Sequence, residues 1–162
     1  MNETPAVPAA HAELDLEHFL PYRLSVLSNR VSDAIARVYS ERYDLGRTEW
    51  RVMAVLGRYP DLSANEVTQR TAMDKVAVSR AVGSLVESGR VVRQVDGEDR
   101  RRSVLRLSEE GTRLYDEIAP LALGFQQRLL GGMDAEERAL LFRLLDRLDE
   151  LEIQAEAESA PQ

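Results

Sequence analysis

Residues 63–107 read SANEVTQRTAMDKVAVSRAVGSLVESGRVVRQVDGEDRRRSVLRL, and this stretch decides the fold. Ser63 and, three residues later, Glu66 form a capping box, which predicts a short helix as far as about Thr71. A second helix is expected over about residues 74–88, where a glycine closes it. The apolar positions of this second helix lie on one face: Val78, Ala81, Val82, Leu85 and Val86.

After this helix the period of the apolar residues changes to two. Val91–Val95 and Ser103–Leu107 are short β-like runs, and a polar turn with one glycine and three consecutive arginines separates them. We therefore predict a β-hairpin with a basic tip. A short helix, a tight turn, a second helix and a hairpin are typical of a winged helix-turn-helix, whose second helix can enter the major groove of DNA. The predicted fold class is mainly α with a small β-hairpin wing.

Long helices are predicted on both sides of this unit. Upstream, apolar residues from Leu24 to Val38 recur every three or four positions, and Gly46 is expected to cap the C-terminus of that helix. The next helix is expected to begin with Thr48 as its N-cap and to end before Pro60.

The downstream part of the chain predicts two more helices. The first follows Ser108, and Pro120 is expected to bend it. Gly131 and Gly132 interrupt the pattern, and Asp134 is expected to cap a last helix with a leucine-rich face. The apolar faces of the first and last helices are too large for one small winged domain to cover, so we expect them to form a dimer.

Composition excludes several classes of protein. The chain has 162 residues, no cysteine, and only two histidines, His11 and His18. A disulfide scaffold, a thiolate zinc site and a cysteine redox sensor are therefore excluded, and a Ser-His-Asp triad has almost no histidine to use. We expect neither an enzyme nor a bound cofactor. No apolar run approaches the ~20 residues that span a bilayer, so a cytoplasmic protein is expected.

The charge distribution separates the middle of the chain from its end. The formal net charge is -7, but residues 63–108 contain nine basic and six acidic residues, a local balance of +3. Residues 133–162 contain three basic and nine acidic residues, a balance of -6. A locally basic segment in an acidic chain suits a DNA-binding unit with a separate assembly region, although scattered charge is the simpler alternative.

From Leu45 to Gly111 the sequence resembles the MarR family of bacterial transcription regulators. The matching segments are LGRTEWRVMAVL, DKVAVSRAVGSLVESGRV and, across the wing, DGEDRRRSVLRLSEEG. The wing signature of the family reads here Asp99, Arg101, Leu105, Leu107, Ser108 and Gly111. The resemblance implies a homodimer that binds a pseudo-palindromic DNA operator, and a small aromatic carboxylate or phenol as the effector that releases it.

The resemblance also assigns DNA contacts to individual residues. Arg101 would enter the minor groove, Asp99 would hold its guanidinium, and Arg100 and Arg102 would touch phosphates or only water. On the second helix the candidates are Lys75, Ala77, Ser79 and Arg80. Ser63 and Thr71 could bind phosphate at helix ends, with helix capping as an equal alternative.

A ligand pocket is the least defined expectation. Ser28 falls on the apolar face of the first helix, where its hydroxyl could line a cavity or bond to a carbonyl one turn earlier. Tyr22, Arg23, Tyr39, Trp50 and Arg51 could add aromatic walls and a cation, with ordinary packing or solvation as the alternative for each. Without cysteine, and with two histidines, we do not expect an oxidant or a metal as the effector.

The expected organisation has four parts: a disordered tail over 1–13, an N-terminal helix for dimerisation and ligand binding over 14–46, the winged helix-turn-helix over 47–110, and dimerisation helices over 111–158. The function predicted from this organisation is that of a DNA-binding repressor. The alternative is a ligand-binding or protein-interaction module of the same fold with weak or no DNA binding.

Overall fold

The computed structural model describes residues 14–95 and 103–150. The elements in these residues are α1 (Leu20–Tyr43), α2 (Arg47–Arg58), α3 (Ala64–Thr71), α4 (Lys75–Glu87), β1 (Val91–Val95), β2 (Ser103–Leu107), α5 (Glu109–Leu129) and α6 (Ala135–Asp149). The mainly helical class with one antiparallel hairpin is confirmed. The chain forms two compact units, Met1–Ile118 and Ala119–Gln162. In the described residues no helix has the length and apolar character needed to cross a membrane.

The connection between α1 and α2 differs from the expectation. Asp44, not Gly46, adopts the left-handed conformation that ends α1, with φ of 46°. Gly46 is extended and is the N-cap of α2, so the prediction that Thr48 is the N-cap is wrong. The reason lies in Glu49, whose Oε2 accepts a hydrogen bond from the Gly46 N–H at 2.6 Å. This contact closes the first turn, so α2 begins two residues earlier than predicted.

The predicted capping box of α3 is confirmed, and α4 also begins with a side-chain cap. The Glu66 N–H donates to Ser63 Oγ at 3.2 Å, and the Ser63 N–H donates to Glu66 Oε2 at 2.8 Å. Asp74 Oδ1 accepts from the N–H groups of Val76 and Ala77 at 2.9 and 3.0 Å. Local hydrogen bonds therefore fix the start of both helices, as the residue types predict.

The hairpin pairs Val91 with Leu107 and Val95 with Ser103 in antiparallel register. A third segment extends it, because the Leu105 N–H donates to the Leu62 carbonyl at 2.7 Å. This bridge ties the wing to the residues that immediately precede α3.

The core of the first unit is formed by α2, α4, the hairpin and the start of α5. Trp50 lies between two tyrosines, with ring centroids 5.5 Å from Tyr39 and 6.0 Å from Tyr115. The other buried apolar side chains in this unit are Leu45, Val52, Met53, Leu56, Leu62, Val67, Val78, Ala81, Val82, Leu85, Val91, Leu105, Leu114 and Ile118.

The second unit contains α6 and the end of α5. Asp134 caps α6, as predicted, by accepting from the N–H groups of Glu136 and Glu137. None of the described residues of α6 is buried, although the helix is rich in leucine. α5 continues through Pro120, so the expected bend there stays a prediction.

The junction of the hairpin and α5 requires a glycine. Ser108 Oγ donates to the Gly89 carbonyl at 2.6 Å and accepts from the Gly111 N–H at 3.0 Å. The Ser108 N–H also donates to the Arg90 carbonyl at 3.1 Å. A Cβ atom on Gly111 would lie 1.9 Å from that carbonyl oxygen, so α5 can approach only without a side chain at this position.

We expect Gly111→Ala to lower the free energy of unfolding by about 3 kcal/mol, because backbone must move to relieve the overlap. Gly83→Ala is the matched control, since nothing lies within 4 Å of a Cβ there. In the interior of α4 this control should stabilise the protein by about 0.5–1 kcal/mol. Urea unfolding at one protein concentration measures both, and equal stability of the two variants would contradict the assigned role of Gly111.

Candidate nucleic-acid interface

α4 has one buried and one exposed face. Its buried side chains are Val78, Ala81, Val82 and Leu85. Lys75, Ser79 and Arg80 are exposed, as predicted, and Ala77 lies half-buried at the edge of the face. In the described part of the chain these three polar side chains form no hydrogen bond or ion pair, so they are available to a ligand.

α4 is attached to α2 by a surface hydrogen bond that sequence reasoning missed. Ser84 Oγ donates to Glu49 Oε1 at 2.5 Å. The other oxygen of the same carboxylate accepts from the Gly46 N–H. The i, i+3 spacing of Gly46 and Glu49 indicates the cap, but Ser84 is 35 residues away in sequence and no local pattern indicates its contact.

Arg90 is a second missed residue. It follows α4 and precedes β1, and its guanidinium reaches the C-terminus of α1. Nη1 donates to the Asp44 carbonyl at 3.0 Å and Nη2 to the Tyr43 carbonyl at 2.8 Å. A cation at these carbonyls also offsets the negative end of the helix dipole.

The two predicted phosphate contacts at helix ends have local partners. Ser63 Oγ donates to Glu66 Oε2 at 2.6 Å, so the capping alternative accounts for this hydroxyl. Thr71 is only 4% exposed, and its hydroxyl donates to the Thr68 carbonyl at 3.0 Å. Because a buried hydroxyl cannot reach a phosphate, we leave Thr71 out of the interface. A phosphate contact by Ser63 stays a prediction.

The predicted wing contacts lie outside the described residues. Val95 pairs with Ser103, and residues 96–102 connect them in the sequence. Asp99, Arg100, Arg101 and Arg102 fall in this connection. Their roles therefore remain predictions.

The structure places the predicted ligand residues in separate groups, with Tyr22 beside Arg23 and Tyr39 beside Trp50. Tyr22 and Arg23 line an open groove of about 660 Å³ beside the first turns of α1. Tyr39 lies 17 residues further along this helix, about 26 Å away at 1.5 Å per residue. Burial raises the pKa of Tyr39, against the opposing charges of Arg47 and Arg51.

Tyr39 and Trp50 therefore pack in the aromatic cluster, which is the alternative to ligand binding that the sequence analysis gives for both residues. Ser28 and Arg51 are exposed and do not line the groove that contains Tyr22. Of the six predicted ligand residues, Tyr22 and Arg23 line this groove and the other four do not.

Comparison with known proteins identifies the fold. A family model described as the MarR family matches residues 43–102. A MarR/EmrR family regulator from Acinetobacter sp. ADP1 superposes with a TM-score of 0.78 and 28% identity, over 84% of this chain and 96% of that one. Over residues 43–102 the chain therefore matches the MarR family. The PcaV regulator from Streptomyces coelicolor, solved in complex with its natural ligand, gives a TM-score of 0.68 and 25% identity, over 86% of this chain and 97% of that one.

Two further relatives carry regulator names. The HTH-type transcriptional regulator YdgJ of Bacillus subtilis is 25% identical over 104 residues, which are 64% of this chain and 63% of YdgJ. The transcriptional regulator HosA of Escherichia coli is 24% identical over 113 residues, which are 70% of this chain and 84% of HosA. The family match and the names of these relatives support a DNA-binding transcriptional regulator.

Val76 is an apolar residue on the same exposed face of α4. It lies in the first turn and is 56% exposed, although valine is usually buried. In a helix-turn-helix the first turn of the second helix contacts base edges, and an apolar side chain there can contact the C5-methyl group of thymine. Val76 precedes Ser79 and Arg80 by three and four positions, so helical spacing places it on their face, but the sequence analysis did not single it out.

We predict that Val76 contacts one thymine methyl in a duplex that the protein selects from random sequences. Replacing that thymine by uracil removes only the methyl and should weaken binding about fourfold, from ~0.8 kcal/mol for one buried carbon. Val76→Ala should weaken binding similarly and abolish the effect of the uracil, as measured by fluorescence anisotropy. Ser79→Ala is the control and should keep the uracil effect. If no thymine shows this coupling to Val76, the assignment is wrong.

Proposed function

We propose that this regulator binds a pseudo-palindromic operator as a homodimer and represses transcription from it. The observation that carries the proposal is the exposed face of α4. It presents Lys75, Ser79 and Arg80 without partners in the described chain, on a helix held by Asp74 at its start and by Ser84 near its end. Arginine can pair with guanine through two hydrogen bonds, so Arg80 is the candidate for base recognition.

The wing supplies the second contact in this proposal. Arg101 enters the minor groove, where the narrow groove concentrates negative potential, and Asp99 orients its guanidinium. Arg100 and Arg102 bind the adjacent phosphates. The hairpin strands support this role, because the bridge between Leu62 and Leu105 fixes the wing against the segment that leads into α3.

Exposed apolar faces in both units support dimerisation. In the first unit, Leu20, Leu24 and Leu27 are 41–59% exposed on α1. In the second unit, the large apolar side chains of α6 that are 40–48% exposed are Leu140, Phe142, Leu144 and Leu145. Burial of such faces is favourable by about 25 cal/mol per Å² of apolar surface, and a second copy of the chain would cover them.

Selection of random duplexes by the protein tests this proposal. We expect a two-fold symmetric site with half-sites about 10 base pairs apart. Leu144→Glu should convert a dimer to a monomer in light scattering and weaken binding to the selected duplex about a hundredfold or more, because the two half-site contacts are no longer linked. Arg143→Gln, on the same helix, is the control. An asymmetric site, or a monomeric variant with unchanged affinity, would refute dimeric binding.

We propose a small aromatic carboxylate or phenol as the effector. The groove along the start of α1 supports this class, because it combines the apolar side chains of Leu16 and Val26 with the guanidiniums of Arg23 and Arg30. Apolar walls bind a ring and a guanidinium binds a carboxylate. The complex of PcaV with its natural ligand also supports effector binding in a protein of this fold.

The effector class predicts a thermal shift with 4-hydroxybenzoate and not with 4-hydroxybenzyl alcohol, which lacks the carboxylate. At one hundred times the dissociation constant the ligand would add about 2.7 kcal/mol of stability. Arg23→Gln should reduce the shift, and the ligand should weaken DNA binding only by its differential affinity for the two states. Equal shifts from the acid and the alcohol, or an unchanged shift in Arg23→Gln, would exclude carboxylate recognition at Arg23.

A further inference from the structure

Two arginines lie over one tyrosine at the border of α2 and α3. Arg70 Cζ is 4.1 Å from the centre of the Tyr59 ring, and Arg58 Cζ is 5.0 Å from it. All three side chains are exposed. Arg58 ends α2 and Arg70 lies in the last turn of α3, so the ring of Tyr59 joins cations from two helices.

No carboxylate forms an ion pair with Arg58 or Arg70 within residues 14–95 and 103–150. The nearest acidic residue in sequence, Asp61, is paired with Arg106, whose Nε and Nη2 lie 2.8 and 2.5 Å from its Oδ1. Arg58 and Arg70 have no ion pair in the same part of the chain. Two like charges held together without a counter-charge attract an anion, and a guanidinium fork matches the oxygens of a phosphate.

The cluster lies close in sequence to the start of α4, the second helix of the helix-turn-helix. Arg70 is separated from the N-cap Asp74 by three residues, and the reversed backbone at Ala72, with φ of 49°, turns the chain from α3 into α4. In a helix-turn-helix the N-terminal residues of the second helix contact bases, while the first helix crosses the phosphate backbone. The last turn of α3 is therefore placed where backbone phosphates pass.

We propose that Arg58, Tyr59 and Arg70 form an accessory phosphate-binding surface, which contacts the DNA backbone beside the bases that α4 reads. Tyr59 orients the two guanidiniums by cation–π contact, so less side-chain entropy is lost on binding. This surface adds affinity without sequence preference. The inference rests on the proposed DNA-binding function.

The salt dependence of DNA binding tests this surface. The logarithm of the binding constant falls with the logarithm of salt concentration by about 0.9 per phosphate contact. Arg58→Gln/Arg70→Gln should therefore reduce the slope by about 1–2 on both the selected duplex and a scrambled duplex, and leave the preference between them unchanged. Arg113→Gln/Arg138→Gln removes the same charge elsewhere and should change the slope less. Tyr59→Leu should keep both arginines but weaken binding about threefold.

Three outcomes separate the possible failures. If the wild-type protein binds DNA and the Arg58/Arg70 variant keeps its slope, the phosphate surface is refuted and the proposed function stands. If the slope is unchanged but inorganic phosphate, at constant ionic strength, shifts the melting temperature of the wild type and not of the variant, the surface binds a free anion and its assignment to DNA is overturned. If the wild type selects no duplex, the proposed function itself fails. Unchanged circular dichroism confirms that the variants fold.

Discussion

Arg90 connects α1, β1 and the start of α5, because its side chain and its main chain bind different elements. Its guanidinium binds the last carbonyls of α1, while its own carbonyl accepts from the Ser108 N–H and lies against Gly111. The side chain would lose its partners if α1 moved, and the main chain would lose its partner if α5 moved. Since Arg90 directly precedes β1, the position of the wing depends on both contacts.

α4, the helix proposed to read the bases, is also held by one residue that makes two contacts. Glu49 uses one carboxylate oxygen to start α2 and the other to bind Ser84 of α4. Val78 and Leu85 bury the opposite face of α4 in the core. Recognition of bases requires side chains whose backbone is held in a fixed position, because a displaced side chain loses its hydrogen bond to the base. In this protein one carboxylate and one apolar stripe hold α4, and the exposed face remains free for DNA.

The parts of the fold that sequence predicts are those fixed by local contacts. The capping box at Ser63 and the cap at Asp74 involve residues two or three positions apart, and the hairpin boundaries follow from the change of period. The start of α2 was misassigned because the reach of Glu49 back to Gly46 outweighs the usual preference for threonine at an N-cap.

The candidate site divides in the same way. The helical period predicts that Arg80 is exposed, and the structure agrees. It cannot predict that Thr71 is buried, because burial depends on how α3 packs on its neighbours. It also cannot predict the contact of Arg70 with Tyr59, since ten residues and a turn separate them. Residue type indicates which groups can bind an anion, and only tertiary packing shows which of them are left without a partner.

The net charge of -7 constrains how such a protein can bind DNA. At physiological salt, charges more than about 8 Å apart are largely screened, so phosphates respond to the nearest basic groups and not to the net charge. Non-specific binding comes almost entirely from phosphate contacts, and residues 63–108 supply nine basic residues for them. Specific binding requires base contacts in addition, such as the one proposed for Arg80. Each added phosphate contact, such as the one proposed for Arg70, raises affinity on all sequences alike, so it strengthens the operator complex without improving its selectivity.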